Sequence, residues 1–334
     1  MKAAAVLAAL ALALVPGREH AAFSVHRLVT DRSDPQLVNA WGLAASSTGP
    51  WWVSNEARGS STIYSGAGRK QALTVSVPCG PTGVVYNGGS GFVVRAGKAF
   101  GPARFIYACE DGTIRGWSPS VPHGWSKEAV VAVDATGSGA IFKGVALAGG
   151  RLYATDFHTG RVLVYDARWH RVPASFVDTS LPTGYSPFGI AAFGKRIFVT
   201  YAQPAPVDGN DSPTGGVVDE YDLHGRFLAR VASAGSLDEP WGVALAPNGF
   251  GRYGGDLLVA NFGSGKILAF ARTDSGWERD GRLPVQAPGV WGIAFGTGGM
   301  SGPRTTLFFA AGPHRWRGSS ELGVGGLLGA IEPG

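Results

Sequence analysis

The sequence predicts an all-β fold, one ring of six four-stranded sheets arranged as a propeller, and three observations carry that expectation. Glycine and proline are abundant, 52 and 21 of 334 residues, which speaks against a helical bundle. A short apolar unit centred on glycine recurs six times along the chain. The last unit lacks a fourth strand whereas an unassigned β-like segment precedes the first, so the two ends complete one sheet and remove an exposed edge. With 16% of residues charged and 45% hydrophobic, the chain has the material for a large core, and disorder is disfavoured. Length alone would suggest two domains, but all-β folds of this size run as one.

The recurring unit supplies the first strand of each sheet. Its copies are Trp41-Gly42-Leu43-Ala44, Thr82-Gly83-Val84-Val85, Lys143-Gly144-Val145-Ala146, Phe188-Gly189-Ile190-Ala191, Trp241-Gly242-Val243-Ala244 and Trp291-Gly292-Ile293-Ala294. Their glycines are 41, 61, 45, 53 and 50 residues apart, a period that holds four short strands and their turns. Second strands follow as apolar runs ending in a small and then usually a polar residue: Trp51 to Asn55, Ile106 to Glu110, Leu152 to Asp156, Ile197 to Tyr201, Leu257 to Asn261 and Leu307 to Ala311. Third strands are expected over Ser61 to Tyr64, Thr113 to Trp117, Arg161 to Tyr165, Gly216 to Tyr221 and Lys266 to Phe270. Fourth strands are expected over Leu73 to Val77, Ala129 to Val133, Ala174 to Val177, Phe227 to Val231 and Gly281 to Val285. The sixth unit runs out after Gly326 to Ile331, and Phe23 to Val29 is placed beside it as the closing strand.

Met1-Lys2, the apolar run Ala3 to Val15, Pro16-Gly17 and Ala21-Ala22 have the layout of a secretory signal, so residues 1–22 are expected to be a leader and 23–334 the propeller. The run is too short to cross a bilayer, and the mature chain is expected to be exported, periplasmic or extracellular, without a transmembrane segment and as a monomer. A net charge of +5 with only seven lysines among 29 basic residues, and no run of like charge, argues against a nucleic-acid partner. Cys79 falls just before the first strand of the second sheet and Cys109 at the end of its second, so the two are expected to be neighbours. In an exported chain they point to a disulfide, contributing roughly 3 kcal/mol in the chain-entropy model; two small buried thiols are the alternative.

The Trp-Gly-[Leu/Val/Ile]-Ala units and the segment Asp256 to Phe270 resemble NHL-type propellers. More narrowly, Asp34 to Ala44, Asp156 to Gly160 and Pro240 to Pro247 resemble an uncharacterised family of exported bacterial proteins associated with PEP-CTERM proteins. That resemblance implies the fold and an exported life and supplies no catalytic residues. The chain ends at Ala330 to Gly334 without the apolar helix and basic tail of a sorting signal.

First-strand starts and second-strand ends should meet near the central axis on one face. The starts are Trp41, Thr82, Lys143, Phe188, Trp241 and Trp291; the ends are Asn55, Glu110, Asp156, Tyr201, Asn261 and Ala311. Trp41, Asn55, Glu110, Lys143, Asp156, Trp241, Asn261 and Trp291 are the candidate ligand-binding residues, rings giving stacking area and polar groups fixing orientation. The competing reading is structural, with tryptophans packed between blades and polar strand ends capping turns. Glu110 and Asp156 offer oxygens to Ca²⁺, but Lys143 between them more simply neutralises one carboxylate, so no metal or cofactor is assigned. His158 is the one histidine near this face and a candidate general base. Asp208 to Asp211 lacks the glutamate a calcium loop needs and reads as a solvated turn, and the insertion Pro204 to Thr214 as an outer loop. Six-bladed lactonases hold a divalent metal on the axis with carboxylates and an Asn, but here four of six strand starts are aromatic. The expected function is therefore a non-catalytic module binding a small molecule, glycan or envelope partner, with a metal-assisted hydrolase or lyase as the alternative.

Overall fold

The computed structural model describes residues 22–285, 287, 289–312 and 325–334; of the leader expected over 1–22, all but the last residue lies outside them. The chain opens with β1 (Phe23–Thr30) and then lays down five sheets in order. Blade 1 is β2 (Ala40–Ala45), β3 (Trp51–Asn55), β4 (Ser60–Tyr64) and β5 (Lys70–Ser76). Blade 2 is β6 (Pro81–Tyr86), then a separate hairpin of β7 (Val93–Ala96) and β8 (Ala99–Pro102), then β9 (Phe105–Cys109), β10 (Thr113–Trp117) and β11 (Val130–Asp134). Blade 3 is β12 (Phe142–Ala148), β13 (Arg151–Asp156), β14 (Arg161–Asp166) and β15 (Arg171–Val172). Blade 4 is β16 (Ser186–Phe193), β17 (Arg196–Pro204), β18 (Asp211–Asp222) and β19 (Phe227–Ser233). Blade 5 is β20 (Pro240–Leu245), β21 (Leu257–Asn261), β22 (Lys266–Thr273) and β23 (Gly276–Arg282).

Blade 6 takes β24 (Val290–Phe295), β25 (Leu307–Ala311) and β26 (Leu327–Pro333) from one end of the chain and β1 from the other. The closure is antiparallel, from Phe23 opposite Pro333 to Thr30 opposite Leu327. The expected pairing of the two ends therefore holds, and β26 has no open edge. Phe23 also reaches blade 5, 5.0 Å from Phe250 and stacked 5.5 Å from Tyr253.

Each first strand carries a register shift at its Trp-Gly-type step, between Ala40 and Leu43, Pro81 and Val84, Phe142 and Gly144, Pro187 and Ile190, Pro240 and Val243, and Val290 and Ile293. A bulge re-aims the residue it displaces. Here it frees a backbone donor and turns the residue before glycine toward the axis. Thr155 Oγ1 accepts from Gly144 N–H and donates to the Phe188 carbonyl, and Thr200 Oγ1 accepts from Gly189 N–H, so side chains satisfy the backbone that the bulges release.

The glycines themselves touch around the ring. A Cβ on Gly42 would stand 2.7 Å from the Thr82 carbonyl oxygen, one on Gly242 would overlap the Trp291 carbonyl, and one on Gly292 the Trp41 carbonyl. The remaining three make the same approach to their neighbours, so the six inner strands meet in a backbone waist that admits no side chain.

Two outer strands differ from the sequence reading. The outer strand of blade 3 is the two-residue β15 and not Ala174 to Val177, because Pro173 ends the pairing and Val177 makes only an isolated bridge to Arg226. In blade 5 it is β23, not Gly281 to Val285, because the tight turn at Thr273 to Gly276 starts pairing directly after β22. The Cys79–Cys109 disulfide forms as expected, with Cα atoms 5.3 Å apart, and ties the entrance of blade 2 to the end of its second strand. No helix among the described residues is long and apolar enough to cross a membrane.

Candidate functional site

The register of the inner pairs shows which residues reach the axis. Asn55, Cys109, Asp156, Tyr201, Asn261 and Ala311 are equivalent, each opposite the residue that enters its first strand. Successive strand residues face opposite ways, so the residues that point inward are the next ones, Glu56, Glu110, Phe157, Ala202, Phe262 and Gly312. Glu110 belongs to this second set because β9 ends at Cys109.

Asn55 donates to Ser60 and Thr62 hydroxyls, Asp156 accepts from Ile141 and Thr159 N–H groups, and Asn261 accepts from Asp238 N–H while donating to Val259 and Lys266 carbonyls. These three of the expected binding residues are engaged in the turns beside them. Trp41, Trp241, Trp291, Lys143 and Glu110 come together at the axis. Trp291 is stacked between Trp41 at 3.6 Å and Phe262 at 3.7 Å, and Trp241 meets Trp41 edge-on at 5.7 Å. Phe157 and Phe188 complete a buried aromatic cluster above the glycine waist. Buried indoles usually find a partner. The Trp291 N–H donates to Asn39, but the Trp41 and Trp241 Nε1 donors, both buried, have no hydrogen-bond acceptor among the described residues.

The other side of the mouth is polar. Lys143 is 2% exposed, pairs with Glu110 and lies 5.1 Å over the Trp41 ring and 5.9 Å over Phe157. Glu56 accepts from Asn39 Nδ2 at 2.6 Å, and burial and the neighbouring Glu110 charge push its pKa up. Burial likewise pushes up Asp211, which feels the Lys143 and Glu110 charges. Burial disfavours the charged form of Glu56 and of Asp211, which also bonds the buried Glu239. Glu56 is not among the residues the sequence points to, and Asp211 enters the sequence reading only within Asp208 to Asp211, read as a solvated turn. Glu56 is found by stepping one residue past the strand end, whereas Asp211 comes from a distant insertion and carries no sequence signal.

That insertion is not an outer loop. Gln203 pairs with Ser212 and Pro204 with Asp211, which extends β17 and β18 as an arm across the axial face. Asp208 meets His158 Nδ1 at 2.7 Å, and Gly209 sits against Ile141. His158 is thus an exposed tether for the arm. Among the described residues one group of three His, Cys, Asp or Glu side chains has ligand atoms within 4.8 Å of one another, Cys79, Cys109 and Asp111, and its sulfurs are bonded to each other. The mouth carboxylates form no such set, so the axial Ca²⁺ site weighed from sequence lacks a fitting donor group there. Beyond the waist lies a cavity of about 370 Å³ lined by the first strands, including Leu43, Val84, Val145, Ile190, Val243 and Ile293, with no Asp, Glu, His, Lys or Arg on its walls.

No family model matches the chain. It is 30% identical over 302 residues to "Uncharacterized protein R648" of Acanthamoeba polyphaga mimivirus, covering 84% of this chain and 75% of that one. It is also 30% identical over 277 residues to "Uncharacterized protein L690" of the same virus, covering 76% and 73%. Among solved structures it is similar to the PQQ-bound aldose sugar dehydrogenase of Streptomyces coelicolor, with a TM-score of 0.58 and 17% identity over 93% of this chain and 98% of that one. Identity that low shows the fold alone, a six-bladed propeller.

Proposed function

The chain belongs to the family of the mimivirus proteins R648 and L690, and from that premise we propose that it is an exported, non-catalytic binding module whose axial mouth takes a small polar molecule or the end of a glycan or envelope component. Two buried indole N–H donors without acceptors, beside the Lys143–Glu110 pair, carry this reading. An unmet buried donor costs about 1 to 3 kcal/mol, which a ligand hydroxyl or carbonyl would recover. The surrounding rings supply stacking area, and Glu56, Glu110 and Asp211 offer acceptors for ligand hydroxyls or amines. The leader layout and the disulfide support an oxidising, exported setting, and association with PEP-CTERM proteins is part of the same proposal.

A hydrolase or lyase is second, without the metal assistance weighed from sequence, for which the described mouth residues offer no donor set. What favours it is the contrast between Glu56, whose pKa burial and the Glu110 charge push up, and Glu110, ion-paired with Lys143, which would supply an acid and a base side by side. Thermal-shift and calorimetric screening with monosaccharides, amino sugars and small hydroxy acids separates the readings. We expect a ligand that binds unchanged and whose affinity falls about tenfold in Trp241→Phe, which keeps a ring and removes the donor. A bound compound unaffected by both Trp241→Phe and Glu110→Gln would place the site elsewhere.

A further inference from the structure

The face opposite the mouth carries its own structure in blade 2. The β6–β9 and β10–β11 connections both open there, since antiparallel neighbours reverse at alternate ends. The first holds the β7–β8 hairpin, and the second is the segment from Ser118 to Ala129. They are packed together: a Cβ on Gly101 would stand 2.8 Å from Ser120 Oγ and 2.9 Å from Ser118 Oγ. The second segment is folded back on itself, Ser126 N–H donating to the Pro119 carbonyl and Trp117 Nε1 to the Ser126 carbonyl. On its other flank the hairpin is tied to blade 3, where Phe92 N–H donates to the Ala167 carbonyl and Trp169 Nε1 to the Val93 carbonyl.

Two aromatics stand out from this braced base. Phe100 is 62% exposed and Trp125 is 95% exposed. Trp125 also has φ of 60°, a left-handed backbone that a bulky residue adopts only where its surroundings hold it. The ring is therefore presented outward and not merely left unburied. The charges around the two rings are mostly positive. From Val93 to Arg104 the chain carries Arg95, Lys98 and Arg104 and no acidic residue; Lys127 follows Trp125 by two positions, and Arg168 lies between the two blade 3 residues that tie the hairpin. Two acids lie among them: Asp166 of blade 3, which accepts from the N–H groups of Arg168 and His170, and Glu128, exposed next to Lys127.

We propose that this face docks on an anionic phospholipid surface, with Trp125 and Phe100 seated at the headgroup boundary and Arg95, Lys98, Lys127 and Arg168 answering the lipid phosphates. Projecting amphipathic rings flanked by cations suit a layered headgroup region, where indoles concentrate and each cation adds attraction to an anionic leaflet. A protein partner would call for a flat or pocketed patch, whereas these are two projecting rings among mostly positive charge. The mouth would then face away from the bilayer, and this docking is independent of whatever the mouth binds.

Sedimentation of the purified protein with vesicles tests the proposal. Vesicles of equal phosphatidylglycerol and phosphatidylcholine should bind it at 50 mM salt and bind it at least tenfold more weakly at 500 mM, while pure phosphatidylcholine should not bind it. Trp125→Ala and the double variant Arg95→Gln with Lys98→Gln should each weaken binding at least tenfold with unchanged melting temperature, since all three side chains are exposed. Absence of binding to the anionic vesicles at 50 mM overturns the proposal, as does equal binding by both variants, or capture of a protein through Trp125 without any vesicle binding.

Discussion

Asp256 stands immediately before β21 with its side chain largely enclosed beside Asp280, and burial together with the Asp280 charge pushes its pKa up to about 6. In the unfolded chain the same carboxyl titrates near 3.8. A raised folded value means the protonated form is favoured by folding, so the contribution is present below the unfolded value and is lost as pH rises through about 6. Asp256→Asn keeps a neutral side chain at every pH. Thermal melts should show little difference from the parent at pH 4 and a higher melting temperature for the variant at pH 7.5; a gap that does not change with pH would refute the assignment. The mouth shows what single residues reveal in advance. Trp41, Lys143, Trp241 and Trp291 are legible because each precedes a repeated glycine. Asn55, Asp156 and Asn261 look equally suited, yet one step along a strand reverses the side chain, and Phe157 and Phe262 take the axial positions instead.

At the scale of elements, the bulged first strand is the unit the chain repeats, and its glycine is fixed by neighbouring backbone. Gly242→Ala would drive a methyl group into the Trp291 carbonyl of the next blade, and the strand could yield only by widening the waist. We expect a loss of about 1 to 3 kcal/mol, seen as a melting temperature several degrees lower. Gly137→Ala, with nothing near its side and no unusual φ, should leave the melt unchanged and serves as the control. Inner elements were readable from sequence because their apolar runs and turns repeat. Outer ones were not, since β15 is cut by Pro173 and β23 is set by a turn, and neither has a buried pattern of its own. The β7–β8 hairpin escaped notice for a related reason: it interrupts a blade and lies outside the period.

The whole molecule depends on β1. Deleting Phe23 to Val29 would strip the pairing partner from most of β26 and remove the Phe23 contacts with Phe250 and Tyr253. We expect insoluble protein or a large fall in melting temperature, measured by recovery from the soluble fraction and by calorimetry; an unchanged melt would show that the ring does not need its clasp. The ring and its closure were evident from counting strands. The arm over the mouth was not, because Pro204 to Asp211 has no counterpart in the other units and its destination is set by His158 and Ile141, which no local pattern announces.

Gly334 N–H donates to the Ala22 carbonyl, so the described chain ends where it starts. For synthesis, this makes the order of events one-sided: β1 precedes blades 1 to 5 in the chain and has no partner strand until β26 is made. An interrupted product would keep five sheets and an unlatched strand, a sticky intermediate that quality control can recognise by its free edge. The clasp can thus be set only once β26 has been made.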